Sequence, residues 1–122
     1  MRIITPGVAD KKLVKIMTKS AYPALMESGV EIYEYTPGFI HGKALVSDDK
    51  YAVVGTINLD YRSLVHHFED AVWMYGTPTV MRVKEDFIQT LGLSHKLTED
   101  EARLGAVEKM LKSINQLIAP LL

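Results

Sequence analysis

The sequence contains no cysteine among its 122 residues. Disulfide bonds and thiolate metal sites are therefore excluded, and this composition favours a reducing compartment. No apolar run approaches the roughly 18 residues that a membrane-spanning helix needs. The first residues, MRIITPGVADKK, also lack the apolar stretch and cleavage site of a signal peptide. We therefore expect the chain as written to be soluble, without a signal or transmembrane segment.

A strong net charge is also lacking, because 14 basic and 15 acidic residues leave a formal charge of −1. No global field attracts nucleic acid, so any anion site must come from a local cluster. What the chain has in quantity is apolar residues, which make up 48% of it. This content and the length predict a single domain over residues 1–122 with a hydrophobic core.

Segments with strand and helix patterns alternate along the chain. They predict an α/β domain with a mixed β-sheet flanked by helices. The predicted strands are RIIT, VEIYEY, FIHGKALV, YAVVGTIN and FEDAVWMYG. The predicted helices are KKLVKIMTKSAYPALMES, a short helix over 60–67, TPTVMRVKEDFIQTLG and a last helix after Thr98.

Several residues predict where the helices begin and end. Asp10 fits the N-cap of the first helix and Gly29 its end, while Pro23 predicts a kink or a restart inside it. Thr98 and Glu101 have the spacing of a capping box at the start of the last helix. The apolar stripe expected on that helix is Leu104, Val107, Met110, Leu111, Ile114, Leu117 and Ile118.

The stretch HGKALVSDDKYAVVGTIN predicts a β-hairpin with polar groups at one end. A four-residue loop SDDK and a two-residue turn DD both place residue 43 opposite 54 and residue 41 opposite 56. In that register His41, Lys43, Thr56 and Asn58 share one face of the hairpin. A cation, an imidazole, a hydroxyl and a carboxamide without a carboxylate suit a phosphate better than a metal ion.

The spacing of these residues resembles a known motif. It reads His41-x-Lys43, four residues, Asp48, six residues, Gly55-Thr56-x-Asn58, and it is similar to the HKD motif of the phospholipase D superfamily. The surrounding segments GVEIYEYTPGFIHGK and GTINLDYRS resemble the C-terminal catalytic half of bacterial cardiolipin synthases. The resemblance implies the phospholipase D-like half-domain fold.

The resemblance also implies roles for the residues that match the motif. His41 would attack phosphorus and form a phosphohistidine, which divides a difficult displacement into two easier steps. Lys43 and Asn58 would bind the phosphate oxygens, with Thr56 beside them. Glu69, in HHFED, matches the acidic residue that hydrogen-bonds the other ring nitrogen of the histidine and fixes its tautomer.

Two further motif positions have structural readings. Asp48 lies in the predicted turn, so we expect it to stabilise the turn or anchor it to the core and to take no part in the chemistry. Gly55 predicts either a close approach of the backbone to a neighbour or ligand, or a β-bulge. Neither the family nor this cluster implies a metal ion or a cofactor.

The implied activity is that of a phosphatidyltransferase in bacterial phospholipid biosynthesis, in which two phosphatidylglycerol molecules give cardiolipin and glycerol. Enzymes of the superfamily use two HKD motifs, and this chain has one. A homodimer mate or a missing N-terminal region would supply the second half. The longer parent protein would then lie at the bacterial inner membrane.

Two alternatives to this activity remain open. The chain could be a homodimeric phosphodiesterase or nuclease of the same superfamily, although its weak charge argues against nucleic acid. It could also be a catalytically silent fragment. The acceptor alcohol, the oligomeric state and the histidine that acts as nucleophile do not follow from the sequence.

Overall fold

The computed structural model describes residues 1–8, 12–60, 62–103 and 105. Its elements follow one another in the order β1 (Arg2–Pro6), α1 (Lys12–Glu27), β2 (Glu31–Tyr35), β3 (Lys43–Ser47), β4 (Tyr51–Gly55), a π-helical turn (Arg62–His66), β5 (Ala71–Tyr75), α2 (Pro78–Gly92), β6 (Ser94–Lys96) and α3 (Glu99–Ala102). None of the described helices is long and apolar enough to span a membrane.

The chain divides into two compact units. Unit 1 comprises Met1–Ile40 and Leu93–Leu122, and unit 2 comprises His41–Gly92. Each unit has its own three-stranded sheet. Together with the flanking helices, these sheets confirm the α/β class, and the sheet of unit 1 is mixed as expected. The assignment of residues 1–122 to a single domain stays a prediction.

The sheet of unit 1 has the strand order β1-β2-β6. β2 pairs in parallel with β1 and antiparallel with β6, so that Ile3 lies opposite Ile32 and Tyr33 opposite Lys96. The polar three-residue strand β6 was not predicted, because it is too short to show an alternating pattern. The core residues are Tyr22, Ile32, Leu97 and Ala102, with Leu25, Met26 and Val30 packed against them.

Helix α1 runs unbroken through Pro23 and shows no restart there. Tyr22, beside the proline, is buried, and its hydroxyl lies 2.8 Å from Thr5 Oγ1. This anchoring to β1 holds the helix across a residue that lacks a backbone donor. As predicted, Gly29 ends the helix, with a φ of 81° and a bond from its N–H to the carbonyl of Met26. The predicted N-cap, Asp10, lies outside the described residues.

The capping box at the start of α3 is confirmed. The Thr98 hydroxyl accepts a hydrogen bond from the backbone N–H of Glu101, and the Glu101 carboxylate accepts one from the backbone N–H of Thr98. His95 lies 2.9 Å from the same carboxylate. The N–H donors of Thr98, then His95, lower the pKa of Glu101 to about 2. The predicted apolar stripe begins at residue 104 and lies outside the described residues.

Unit 2 consists of the antiparallel sheet β3-β4-β5, the π-helical turn and α2. Helix α2 packs on all three strands of this sheet. Ala52 on β4 and Val80 on α2 are fully buried. The ends of β3 and β4 that lie away from the hairpin loop lead directly into the segments that carry the motif residues.

Candidate active site

The hairpin loop sets the register of the site. Asp48 and Asp49 have φ angles of 53° and 56°, and the backbone N–H of Lys50 donates to the carbonyl of Ser47 at 3.1 Å. Ser47 pairs with Tyr51, so three residues lie between the paired strands. Consequently residue 43 lies opposite 55, and the predicted register, with 43 opposite 54, is wrong by one residue. A loop of three residues shifts the pairing by one position relative to loops of two or four residues, which share one register.

The motif residues were predicted to share one face of the paired strands, but His41, Thr56 and Asn58 lie outside those strands. His41 precedes β3, which begins at Lys43, and Thr56 and Asn58 follow β4, which ends at Gly55. Lys43 and Gly55 are paired, so both segments leave the hairpin at the same end. Strand alternation therefore does not align these side chains, and their positions depend on contacts made after the strands end.

Lys43 is held next to the backbone of His41. Its Nζ donates to the carbonyl oxygen of His41 at 2.8 Å. The side chain thus turns back from the start of β3 toward the residue that the motif assigns as nucleophile. An ammonium group with three donors keeps capacity for an anion while it makes this bond.

Thr56 and Glu69 are joined by a short hydrogen bond. The Thr56 hydroxyl donates to Glu69 Oε2 at 2.5 Å, and the same oxygen of Thr56 accepts from the backbone N–H of Asp70 at 3.0 Å. A hydroxyl carries a single hydrogen, so in this arrangement Thr56 gives its hydrogen to the carboxylate and not to a phosphate. The contact with Glu69 was not predicted from the sequence, and the placement of Thr56 beside the phosphate stays a prediction.

The Glu69 carboxylate is mostly enclosed, with 14% of its side chain exposed. Hydrogen bonds from Thr56 and then from Ser63 lower its pKa below the ordinary value, and the nearby His67, 3.7 Å away, acts in the same direction. Glu69 is therefore ionised at neutral pH and can accept a hydrogen bond from an imidazole N–H. Its predicted bond to His41 stays a prediction.

Asn58 contacts the π-helical turn. Its Nδ2 donates to Ser63 Oγ at 3.3 Å, and Ser63 is buried with 6% of its surface exposed. Asp60 Oδ1 accepts a hydrogen bond of 2.7 Å from the backbone N–H of Ser63 and so caps this turn. Sequence reasoning missed Ser63 as a partner of Asn58, because Asp60 can indicate an N-cap but the cap pattern does not tell which side chains the turn brings into contact.

Gly55 is required by the close approach of β5. A Cβ at this position would lie 2.2 Å from the carbonyl oxygen of Asp70 and 2.6 Å from Cα of Ala71. The first of the two readings of Gly55, close backbone approach, is the one that the structure supports. The backbone bond from Thr56 N–H to the Asp70 carbonyl, 2.9 Å long, continues this contact beside Glu69.

Asp48 lies in the turn, as predicted, and accepts a hydrogen bond from the Ser47 hydroxyl at 3.0 Å. Its neighbour Asp49 is bound by Lys84 of α2, with Nζ to carboxylate distances of 2.6 and 2.7 Å. These bonds fix the turn and leave both aspartates at the opposite end of the hairpin from Thr56.

The part of the chain that the structure describes holds no group of three Asp, Glu or His side chains suited to a metal ion. The motif residues and Glu69 carry an imidazole, an ammonium group, a carboxamide and an ionised carboxylate. This set can bind an anion and can orient a nucleophilic imidazole.

Comparison with known proteins identifies the class to which this site belongs. The family described as cardiolipin synthase, PLD-like domain matches residues 1–91. The chain therefore belongs to this phospholipase D-like family. The resemblance inferred from the HKD residues is thereby confirmed at the level of the family.

Curated relatives match the whole chain. A protein of Streptococcus mutans, described only as uncharacterized, is 47% identical over 123 residues, which cover 100% of this chain and 27% of the relative. The cardiolipin synthase of Halalkalibacterium halodurans is 36% identical, with 100% of this chain and 24% of the relative covered. Cardiolipin synthase 2 of Staphylococcus epidermidis is 37% identical, with 100% and 25% covered.

The chain thus spans about a quarter of the length of the curated relatives it matches. No solved structure matches it significantly.

Proposed function

We propose that the chain supplies one HKD half of a cardiolipin synthase-type phosphatidyltransferase. The observation that carries this proposal is the hydrogen-bonded group at one end of the β3–β4 hairpin, where Lys43 contacts the His41 backbone and Thr56 holds the ionised Glu69. The substrate is phosphatidylglycerol, in keeping with relatives named cardiolipin synthase.

The reaction proceeds in two displacements at phosphorus. In the first, an imidazole nitrogen of His41 forms a bond to phosphorus while the bond from phosphorus to the glycerol headgroup oxygen breaks. A general acid protonates the departing glycerol oxygen. In the second, a hydroxyl of another phosphatidylglycerol attacks the phosphohistidine and loses its proton, which gives cardiolipin and restores the imidazole.

The neighbouring groups have distinct tasks in these steps. Lys43 and Asn58 bind the non-bridging phosphate oxygens and stabilise the charge that develops there. Glu69 is ionised at neutral pH because donors surround it, so it can hold the second ring nitrogen of His41 and fix the tautomer that attacks. Thr56 holds Glu69 in turn.

The general acid comes from a second HKD half. A second copy of this chain, or a further region of a longer polypeptide, provides the second histidine. The parent protein acts at the bacterial inner membrane, where its lipid substrate lies. The single HKD motif of the chain also favours one other candidate, a homodimeric phosphodiesterase that hydrolyses its substrate.

The test is an assay of the purified chain with phosphatidylglycerol in mixed micelles and with a generic phosphodiester, while its mass in solution is measured. Wild type is compared with His41→Asn and with His95→Asn, which makes the same change in unit 1. Cardiolipin and glycerol formed by wild type and His95→Asn but not by His41→Asn support the proposal. Hydrolysis without transfer supports the phosphodiesterase, and a chain inert to both substrates contradicts activity of the chain by itself.

A further inference from the structure

Ser63 is a buried polar residue with no role in the steps above. It lies in the π-helical turn Arg62–His66, and 6% of its surface is exposed. Single π-helical turns are rare and often lie at functional sites. A buried hydroxyl is costly unless its hydrogen bonds are satisfied, so its partners indicate what it does.

The partners of the Ser63 hydroxyl are both groups of the candidate site. Asn58 Nδ2 donates to its oxygen at 3.3 Å. The hydroxyl hydrogen is left for an acceptor, and the Glu69 carboxylate is the acceptor that we infer for it. Ser63 is, after Thr56, the next cause of the lowered pKa of Glu69, which supports this pairing. Together with the bond from Asn58 it would form a chain of donors and acceptors.

The backbone of Ser63 is fixed as well. Its N–H donates to Asp60 Oδ1 at 2.7 Å, and the N–H of Leu64 donates to the Asp60 carbonyl at 3.1 Å. The hydroxyl thus has a defined position before any substrate arrives, which is what a supporting residue needs in order to orient its neighbours.

We propose that Ser63 is a positioning residue, whose buried hydroxyl ties the carboxamide of Asn58 to the carboxylate of Glu69 and orients both toward the reacting phosphate. The effect on catalysis rests on the proposed function, whereas the tie itself does not. Asn58 Nδ2 carries two hydrogens, so the bond to Ser63 leaves the other for a phosphate oxygen.

Ser63→Ala tests the tie directly. Ser47→Ala is the matched control, because Ser47 also donates to a carboxylate within unit 2 but does so in the hairpin turn. With carbon-13 in the glutamate carboxyls and nitrogen-15 in the asparagine side chains, NMR follows Glu69 and Asn58 in the full chain. In Ser63→Ala the pKa of Glu69 should rise toward its ordinary value and the Asn58 carboxamide resonances should shift; Ser47→Ala should change neither.

Retention of the hydroxyl should restore the effect. Ser63→Thr is expected to return the pKa of Glu69 toward that of wild type. A titration of Glu69 that is the same in wild type and in Ser63→Ala would overturn the proposal. If Ser63→Ala fails to fold, the test uses nuclear Overhauser contacts in wild type between the Asn58 carboxamide protons and the Ser63 β-protons. Their absence would also overturn the proposal.

Turnover of phosphatidylglycerol measures the consequence for catalysis. Ser63→Ala should lower kcat roughly 10- to 100-fold, the scale of small misplacements of catalytic groups, and leave KM nearly unchanged. Ser63→Thr should recover most of the rate. A wild type without turnover contradicts activity of the chain by itself, while the NMR titration still decides whether Ser63 holds Glu69 and Asn58.

Discussion

The two compact units are stabilised in different ways. In unit 1 the central residue Ile32 is fully buried, and Tyr22, 3% exposed, packs with it. In the described part of unit 2, the buried residues are the small Ala52, Val80 and the polar Ser63. Unit 1 thus depends on apolar packing, whereas unit 2 combines a modest core with a hydrogen-bonded site. The comparison indicates that unit 1 depends on residues outside the candidate site, whereas in unit 2 some of the residues that stabilise the fold, such as Ser63, also belong to the candidate site.

Ile32→Ala is the most direct way to break unit 1. It should lower the free energy of unfolding by about 3 kcal/mol, the usual cost of a cavity at a fully buried aliphatic residue. Chemical denaturation measures the loss. Ile88→Ala is the control, since Ile88 is 45% exposed and should cost less than 1 kcal/mol. Equal losses for the two variants would refute a packing-based account of unit 1.

Gly55→Ala should damage unit 2 through its backbone. The new Cβ would meet the Asp70 carbonyl at 2.2 Å, so β4 and β5 must separate. We expect a loss of about 2 kcal/mol, within the range for overpacked sites. Gly92→Ala, at a glycine with nothing within 4 Å of the added Cβ, should leave stability unchanged or slightly raised, as denaturation can show. A neutral Gly55→Ala would mean that the strands do not approach this closely.

Thr98→Ala removes the N-cap of α3 and should lower the free energy of unfolding by about 1 kcal/mol at neutral pH. Chemical denaturation measures this loss.

Glu101 has a folded-state pKa of about 2, below its ordinary 4.5. Its contribution to stability is therefore complete above 4.5 and is lost as the pH falls toward 2. In denaturation curves at several pH values, Glu101→Gln should flatten this acid slope more than Glu99→Gln does. The same slope in both variants would exclude the capping carboxylate as its source.

Thr56→Val should have the smallest effect on overall stability and a clear effect on the site. The variant keeps the shape of the side chain and removes the donor to Glu69 Oε2, so the pKa of Glu69 should rise. In the wild type, ionised Glu69 stabilises the fold above its ordinary pKa, and this contribution is lost as the pH falls through its lowered folded-state pKa. In Thr56→Val this acid dependence of stability should weaken. Carboxyl NMR provides the measurement. Thr90→Val, which removes a bond to the Asp86 carbonyl in α2, should leave Glu69 unchanged.

The sequence was sufficient for most of the elements and for the family. The apolar periodicities predicted the two long helices and five of the strands, because these elements are long enough to show a pattern of apolar and β-branched residues. The sequence was insufficient for β6, because Ser94–Lys96 form a strand only through their pairing with β2. For Pro23, the predicted restart is wrong, since α1 continues across it, while the alternative of a kink stays a prediction.

The candidate site was predicted as a set of residues but not as a geometry. The spacing of His41, Lys43 and Asn58 follows from the motif, whereas the hairpin register depends on two aspartates that both adopt positive φ. Asp tolerates this conformation, but the letters SDDK are compatible with several loop lengths. The short helix predicted over 60–67 is present as the π-helical turn Arg62–His66, whereas its π form and the contacts of Ser63 were not predicted, since they depend on partners outside the turn.

The most direct test of the central claim is the detection of a covalent intermediate on His41. The chain is mixed with phosphatidylglycerol labelled at phosphorus, quenched under alkaline denaturing conditions that preserve phosphohistidine, and digested for peptide mass analysis. We predict a phosphatidyl group on the peptide that contains His41, which is absent in His41→Asn and retained in His95→Asn. Turnover with the label on another residue, or with an unaltered yield in His41→Asn, would contradict the assignment of His41 as nucleophile.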